Sequence, residues 1–92
     1  MPDQEVSSYN KHMTVPIEVV NICIRQNVSW LTAWRMHLGL TKADVAKKIG
    51  CDETAYCAVE ITEAPPHDAL IRLAEIFDTD ADTLIDLYYG ED

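Results

Sequence analysis

Charged side chains are the residues of this chain with the clearest capacity for chemistry, and they are divided unequally along its 92 residues. Between positions 19 and 50 there is one acid, Asp44, and five basic residues, namely Arg25, Arg35, Lys42, Lys47 and Lys48. From position 51 onward, twelve acids accompany a single basic residue, Arg72. Lys and Arg neutralise phosphates, although the net charge of −9 counts against nucleic acid. One face could therefore meet DNA and the other a basic protein.

Residue types used in catalysis and metal binding are present, but their spacing does not build a site. The three cysteines, Cys23, Cys51 and Cys57, form no C-x2-C pair, and their odd number predicts reduced thiols. The sequence has no Ser-His-Asp grouping, no Gly-rich phosphate loop and no close pair of acids in an expected cleft. We therefore expect a protein that is not an enzyme and that needs no metal or cofactor.

Two short helices within residues 41–60 must position the central charged side chains. Thr41 and Asp44 have capping-box spacing at the start of the first helix, and Asp52 is a suitable N-cap for the second. Gly50 supplies the positive φ that the corner between them requires. Apolar residues recur at helical spacing on the inward faces, at Val45, Ala46, Ile49, Tyr56 and Val59. Two short helices at a steep angle form a helix-turn-helix unit.

Four further helices are predicted around this unit, and no strand pattern or repeat is present. Residues 1–15 are polar and aperiodic, which predicts a flexible arm before a single domain at 16–89. Pro16 can occupy the first turn of an N-terminal helix, and Ser29 can cap the next one before Gly39 ends it. The expected apolar positions of these two helices are Ile17, Val20, Cys23 and Ile24, then Leu31, Trp34 and Leu38.

The last two predicted helices follow a loop that Pro65 and Pro66 keep from being helical. Their expected inward positions are Ala69, Leu70, Leu73, Ala74 and Phe77, then Leu84, Ile85 and Tyr88. Tyr88 and Tyr89 could either cover a second subunit or close the core of their own chain. No apolar run approaches the ~20 residues of a membrane span, and no signal-peptide core is present, so we expect a cytoplasmic protein without membrane contact.

The chain resembles the Cro/C1-type, also called XRE-type, helix-turn-helix family of phage repressors and bacterial regulators. The matching residues are Leu38-Gly39-Leu40-Thr41, Val45-Ala46, Ile49-Gly50, Tyr56, Val59, Glu60 and Leu73-Ala74. The resemblance covers roughly residues 29 to 88. It implies an all-α, five-helix Cro/C1 repressor-like bundle, here with an extra N-terminal helix. The segments 15–20 and 33–35, Val-Pro-Ile-Glu-Val-Val and Ala-Trp-Arg, are similar to the lead-in of certain antitoxins of toxin–antitoxin pairs.

This resemblance implies specific roles for residues of the unit. In a reader of this kind the second helix enters the major groove, while the first helix contacts phosphates. The positions implied to face bases are Glu53, Thr54 and Ala58, with Asp52 and Cys57 beside them. Thr41 and Lys42 are implied to face phosphates. The resemblance also implies a largely buried ion pair between Arg35 and Glu60.

The sequence departs from the family's usual pattern at the positions that contact DNA. Glu53 could accept a hydrogen bond only from a cytosine amino group and would repel phosphates. The following loop carries Glu63 and Asp68 where relatives carry Lys or Arg. The first hypothesis is a homodimeric, DNA-binding transcriptional regulator, acting as a repressor or as an autoregulating antitoxin on its operator. The alternative is a degenerate helix-turn-helix protein-binding module that neutralises a basic partner such as a toxin.

Overall fold

Six α-helices make up the part of the chain that the computed structural model describes, residues 15–90, and this part contains no strand. The all-α prediction is therefore confirmed for these residues. The flexible arm predicted for residues 1–15 lies, apart from Val15, outside the described residues. The helices are α1 (Ile17–Gln26), α2 (Trp30–His37), α3 (Lys42–Ile49), α4 (Glu53–Ile61), α5 (His67–Ile76) and α6 (Ala81–Tyr89). None of these helices is long and apolar enough to cross a membrane.

One hydrophobic core receives side chains from all six helices. At its centre the ring of Trp34 stacks on that of Phe77, with 6.3 Å between centroids and 5° between planes. Burying one large apolar side chain contributes roughly 1.5 to 3 kcal/mol to folding, so these residues fix the helix arrangement. The buried apolar residues are Val19, Leu31, Ala33, Trp34, Val45, Ala46, Tyr56, Leu70, Leu73, Ala74, Phe77 and Leu84.

Local capping sets where three of the helices begin, as the sequence predicts. The Ser29 hydroxyl accepts a hydrogen bond from the amide of Thr32, and Thr41 and Asp44 form a complete capping box at α3. The Asp52 carboxylate accepts from the amide of Ala55 at the start of α4. Gly50 ends α3 with φ +85°, so the corner between α3 and α4 uses the left-handed backbone conformation that glycine adopts without strain.

The predicted inward face of α1 is wrong except at Cys23, which does pack against the core. Ile17 and Ile24 are 63% and 71% exposed, whereas Val19 is fully buried and Ile22 and Cys23 pack against the core. Apolar residues occur on both sides of this helix, so helical spacing alone fits either side. The packing of α1 against α2 selects the side with Val19.

Two smaller corrections concern the helix ends. Leu38 is 41% exposed rather than part of the α2 stripe, because α2 ends at His37 and Leu38 is its C-cap. Pro16 lies just before α1 as its N-cap and not in the first turn.

The two C-terminal tyrosines form hydrogen bonds within their own chain. The Leu31 amide donates to the Tyr88 hydroxyl over 3.3 Å, and the Tyr89 hydroxyl donates to the Pro65 carbonyl over 2.5 Å.

Candidate functional site

An open cleft of about 470 Å³ lies along the outer edges of α3 and α4. Five of the seven residues that the sequence assigned to DNA contact line it, and Ile61 is the sixth lining residue. The lining residues are Lys42, Glu53, Thr54, Cys57, Ala58 and Ile61. The other two assigned residues, Thr41 and Asp52, are exposed N-caps of α3 and α4. The structure thus brings five of the seven assigned residues together on one surface.

The period of α4 separates this outer surface from the core. Tyr56 and Glu60, four positions apart, point inward and are 0% and 2% exposed. Glu53, Thr54 and Ala58 are exposed, and Cys57 is half-buried at the edge. Ile61 continues the outer face one turn beyond Cys57 and is 75% exposed. Sequence analysis missed Ile61, although its helical spacing from Cys57 was sufficient to find it.

The N-terminus of α3 forms one end of the cleft. The Thr41 hydroxyl accepts from the Asp44 amide, and the Asp44 carboxylate accepts from the Thr41 amide, both over 3.0 Å. The hydrogen bond that the Asp44 carboxylate accepts from the Thr41 amide is the main reason why the pKa of this carboxyl lies below its usual value. The first-turn amides of Lys42 and Ala43 precede the first hydrogen bond within the helix, so their N–H groups can donate to an external anion.

Lys42 and Cys57 connect the two helices across the cleft. The Lys42 ammonium lies 3.8 Å from the Cys57 sulfur, and the lysine is half-buried. Its charge is therefore held over the outer face of α4 rather than extended into solvent. This placement puts one cation beside Glu53 and Thr54, within the otherwise apolar and acidic lining of the cleft.

A hydrogen-bonded network around Glu60 fixes α4 from behind. Arg35 Nε donates to Glu60 Oε2 over 2.6 Å, and the Tyr56 hydroxyl donates to the same oxygen over 2.7 Å. Arg35 Nη1 also donates to the Leu40 carbonyl over 3.0 Å. The ion pair between Arg35 and Glu60 that the resemblance implied is thus present, and it ties α2 to α4 and to the turn before α3.

Burial and partner charges act in opposite directions on this network. Burial alone would raise the pKa of the Glu60 carboxyl, but the hydrogen bonds from Arg35 and Tyr56 and the Arg35 charge outweigh burial and lower it. Burial, followed by the hydrogen bond to Glu60, raises the pKa of the Tyr56 hydroxyl. Glu60 is therefore a buried carboxylate that needs Arg35 as its counter-ion.

Exposed charges of opposite sign lie on α3 and after α4. Lys47 and Lys48 are exposed in the last turn of α3, where their positive charges interact favourably with the negative end of the helix dipole. Arg72 donates to the carbonyl of Ile49 over 3.2 Å and so caps the same helix end. Beyond α4, the exposed acid Glu63 lies in the α4–α5 loop, whereas Asp68, which was expected in that loop, lies in the first turn of α5. Exposed basic residues therefore lie on α3, and exposed acids follow α4 in the chain, but none of these four residues lines the cleft.

Chemically, the cleft offers hydrogen-bonding groups and apolar surface. Within residues 15–90 there is no group of three or more His, Cys, Asp or Glu residues that could hold a metal ion. The cleft side chains can accept hydrogen bonds at Glu53, donate and accept at Thr54, and donate at Lys42. Such a surface is suited to contacting the edge of another macromolecule.

Comparison with known proteins found no relative of this chain. No family model, no curated protein and no solved structure matches the chain.

Proposed function

We propose that this protein is a DNA-binding transcriptional regulator of the Cro/C1 helix-turn-helix type, with α3 and α4 as the helix-turn-helix unit. The observation that supports this proposal best is the cleft itself. Five of the seven assigned residues line it, while the opposite side of the same two helices is fixed by Val45, Tyr56 and Glu60 in the core. A rigid helix with a free outer face can enter a major groove.

Each side of the cleft takes a different part of the duplex in this proposal. Thr54 and Glu53, at the N-terminal end of α4, face base edges, and Ala58 offers a small apolar contact suited to a thymine methyl group. Lys42 and the first-turn amides of α3 contact phosphates. Cys57 and Asp52 flank the base-reading positions. Glu53 favours a cytosine amino group, so the preferred site contains a G·C pair opposite it.

Two or three phosphate contacts per subunit give weak binding at physiological salt. A homodimer on a palindromic operator doubles that number, and a basic protein bound to the acidic half of the chain adds positive charge. The proposed biological role is therefore a repressor of its own operon, and the acidic half fits an antitoxin that acts together with a basic toxin.

Binding to duplex DNA tests the proposal directly. The full-length chain is used to select from a random duplex pool, and the selected and upstream duplexes are then titrated by fluorescence anisotropy at about 50 mM and about 150 mM salt. Ala58→Glu adds a carboxylate inside the cleft and should abolish binding. Ile71→Glu adds the same charge at an exposed position of α5 and should leave most of the DNA binding intact. No selected sequence and no duplex binding at either salt concentration would refute the proposal.

A second candidate is supported by the acidic half and by the apolar part of the cleft. Cys57, Ala58 and the exposed Ile61 form a surface that suits a protein partner, and twelve of the sixteen acids follow position 50. In this candidate the helix-turn-helix unit is a protein-binding module that neutralises a basic partner such as a toxin. Binding of the neighbouring gene product in the absence of any duplex binding would favour it over the first.

A further inference from the structure

The outward face of α1 is apolar and has no covering element within the described residues. Ile24 and Ile17 are 71% and 63% exposed, and among the large apolar side chains of residues 15–90 only Ile61 is more exposed. Val20 is half-buried beside them and is not among the residues that pack against the core. Apolar side chains grouped on one face of one helix are typical of an interaction surface, whereas scattered ones are not.

Two unpartnered charges accompany this face. Glu18 lies in the first turn of α1 and Arg25 in the last, and both are exposed. They are seven residues apart, so they lie along the same edge of the helix, beside Ile17, Asn21 and Ile24. Between Val15 and Gly90 the structure has one salt bridge, from Arg35 to Glu60, so neither Glu18 nor Arg25 has an ionic partner there.

We propose that a second copy of this chain covers the face, with the two α1 helices packed antiparallel about a two-fold axis. A two-fold axis perpendicular to both helices reverses their direction but keeps each edge against the same edge of the partner. Glu18 then faces Arg25 of the partner subunit, and Arg25 faces Glu18 of the partner subunit. Ile17 packs on Ile24 of the partner subunit, and Asn21 lies near the axis.

The charge pattern of α1 selects this arrangement over a parallel one. In a parallel pair the two-fold axis runs along the helices and places Glu18 at the same height as Glu18 of the partner subunit. It also sets the charged edge against the Val20 edge. The antiparallel pair instead gives two opposite-charge contacts around an apolar centre, and none of the α1 residues in these contacts lines the cleft between α3 and α4.

The dimer deepens the proposed function, on which its biological meaning rests, because two subunits double the phosphate contacts. One ten-residue helix per subunit buries less than the ~1,200 Å² of a standard stable interface, so the free dimer is weak. Its association is measured without DNA. Loss of the dimer and loss of DNA binding are therefore separate results.

Sedimentation equilibrium of the full-length chain, from about 1 μM to about 500 μM, tests the interface. The wild-type chain should show a monomer–dimer equilibrium in this range. Ile24→Asp should raise the dimer dissociation constant at least tenfold, whereas Ile71→Asp, an equivalent change at an exposed position of α5, should leave it within twofold. Circular dichroism establishes that both variants are folded. A wild-type chain that stays monomeric, or a dimer insensitive to Ile24→Asp, would overturn the proposal.

Charge exchange then tests the antiparallel register. Glu18→Arg places a second guanidinium against Arg25 of the partner subunit, and Arg25→Glu places two acids together, so each variant alone should dimerise at least tenfold more weakly. An equimolar mixture of the two variants regains two attractive contacts and should form a heterodimer. The double variant E18R/R25E should also recover the dimer. Failure of both the mixture and the double variant to associate would contradict the antiparallel pairing.

Discussion

Glu60 determines how firmly α4 is held, because one carboxylate serves two donors from different helices. Its Oε2 accepts from Arg35 Nε over 2.6 Å and from the Tyr56 hydroxyl over 2.7 Å. Arg35 in turn reaches the Leu40 carbonyl just before α3. A charge buried in this way contributes little net stability while paired, but loss of one partner leaves the other without compensation. The main effect of the network is therefore on orientation of α4.

Glu60→Gln tests this role through the pH dependence of stability. At pH 7 we expect a loss of about 1.5 to 3 kcal/mol in the free energy of unfolding, since a charged hydrogen bond is replaced by a neutral one. The folded-state pKa of Glu60 is lowered, so its contribution is present above the unfolded pKa and disappears as pH falls through the folded pKa. Urea denaturation from about pH 7 to about pH 3.5 should show the difference between wild type and variant shrinking over this range.

Glu75→Gln provides the control, because Glu75 is an exposed acid on α5. This variant should follow the wild-type pH profile at every point. A Glu60→Gln protein that is destabilised equally at both ends of the pH range would show that volume and packing, and not the charge of Glu60, cause the effect.

Thr54 and Lys42 belong to different parts of the proposed DNA contact, so their substitutions should have different effects on DNA binding. Thr54→Ala should relax discrimination at one base pair by about 1 to 3 kcal/mol, whereas Lys42→Ala should weaken all duplexes alike and reduce the salt slope by about 1. Anisotropy titrations against the selected duplex and its single-base variants measure both. Arg72→Ala removes the same charge as Lys42→Ala, but outside the cleft, and should have the smaller effect. Unchanged affinity in both cleft variants would contradict the assigned contacts.

Individual residues were well predicted from the sequence where a pattern or the resemblance fixed their spacing. The pair of Arg35 and Glu60 followed from the resemblance, and the structure has it at 2.6 Å. The contribution of Tyr56 as a second donor was readable from its position four residues before Glu60, but it was not predicted. The bond from Arg35 to the Leu40 carbonyl involves backbone, which carries no residue-type signal.

Among the elements, the corner between α3 and α4 depends on a single backbone conformation. Gly50 has φ +85°, and a Cβ atom added there would meet no atom within 4 Å. Gly50→Ala should therefore lose roughly 1 to 2 kcal/mol from backbone strain alone, without a steric clash. Gly50→Asn should lose less, because Asn tolerates the left-handed region. Urea denaturation compares the three proteins, and equal stability of the Ala and Asn variants would contradict a conformational origin.

Helix boundaries were more predictable than helix orientation. Ser29, Thr41, Asp52 and Gly50 act locally, through hydrogen bonds or φ angles within a few residues, so their sequence positions were sufficient. The inward side of α1 was wrong because it is decided by packing against α2, a contact outside the helix. A helix with apolar residues on both sides can pack against a neighbouring element on either side. The sequence of the helix alone does not determine which side faces the core.

The separation of basic and acidic residues is visible in the sequence, but their arrangement in space is not. The five basic residues between positions 19 and 50 do not form one patch, because Arg35 is held by Glu60 and Arg25 lies on α1. Lys42, Lys47 and Lys48 remain on α3, and Lys42 alone lines the cleft. Each subunit therefore brings few cations to a duplex, and the affinity for DNA must depend on how many subunits bind.

The salt dependence of DNA binding measures that number. With two or three phosphates neutralised per subunit, the slope of log K against log salt should be about −2 to −3 for one bound subunit and about −4 to −5 for two. Titrations of the selected palindromic duplex from about 50 mM to about 200 mM salt give the slope for the wild-type chain. A half-site duplex, which has room for one subunit, provides the matched control. We expect the steeper slope on the palindrome and the shallower one on the half-site. Equal slopes on both duplexes would show that a single subunit binds, and a slope near zero would show that the cations of α3 do not contact phosphates.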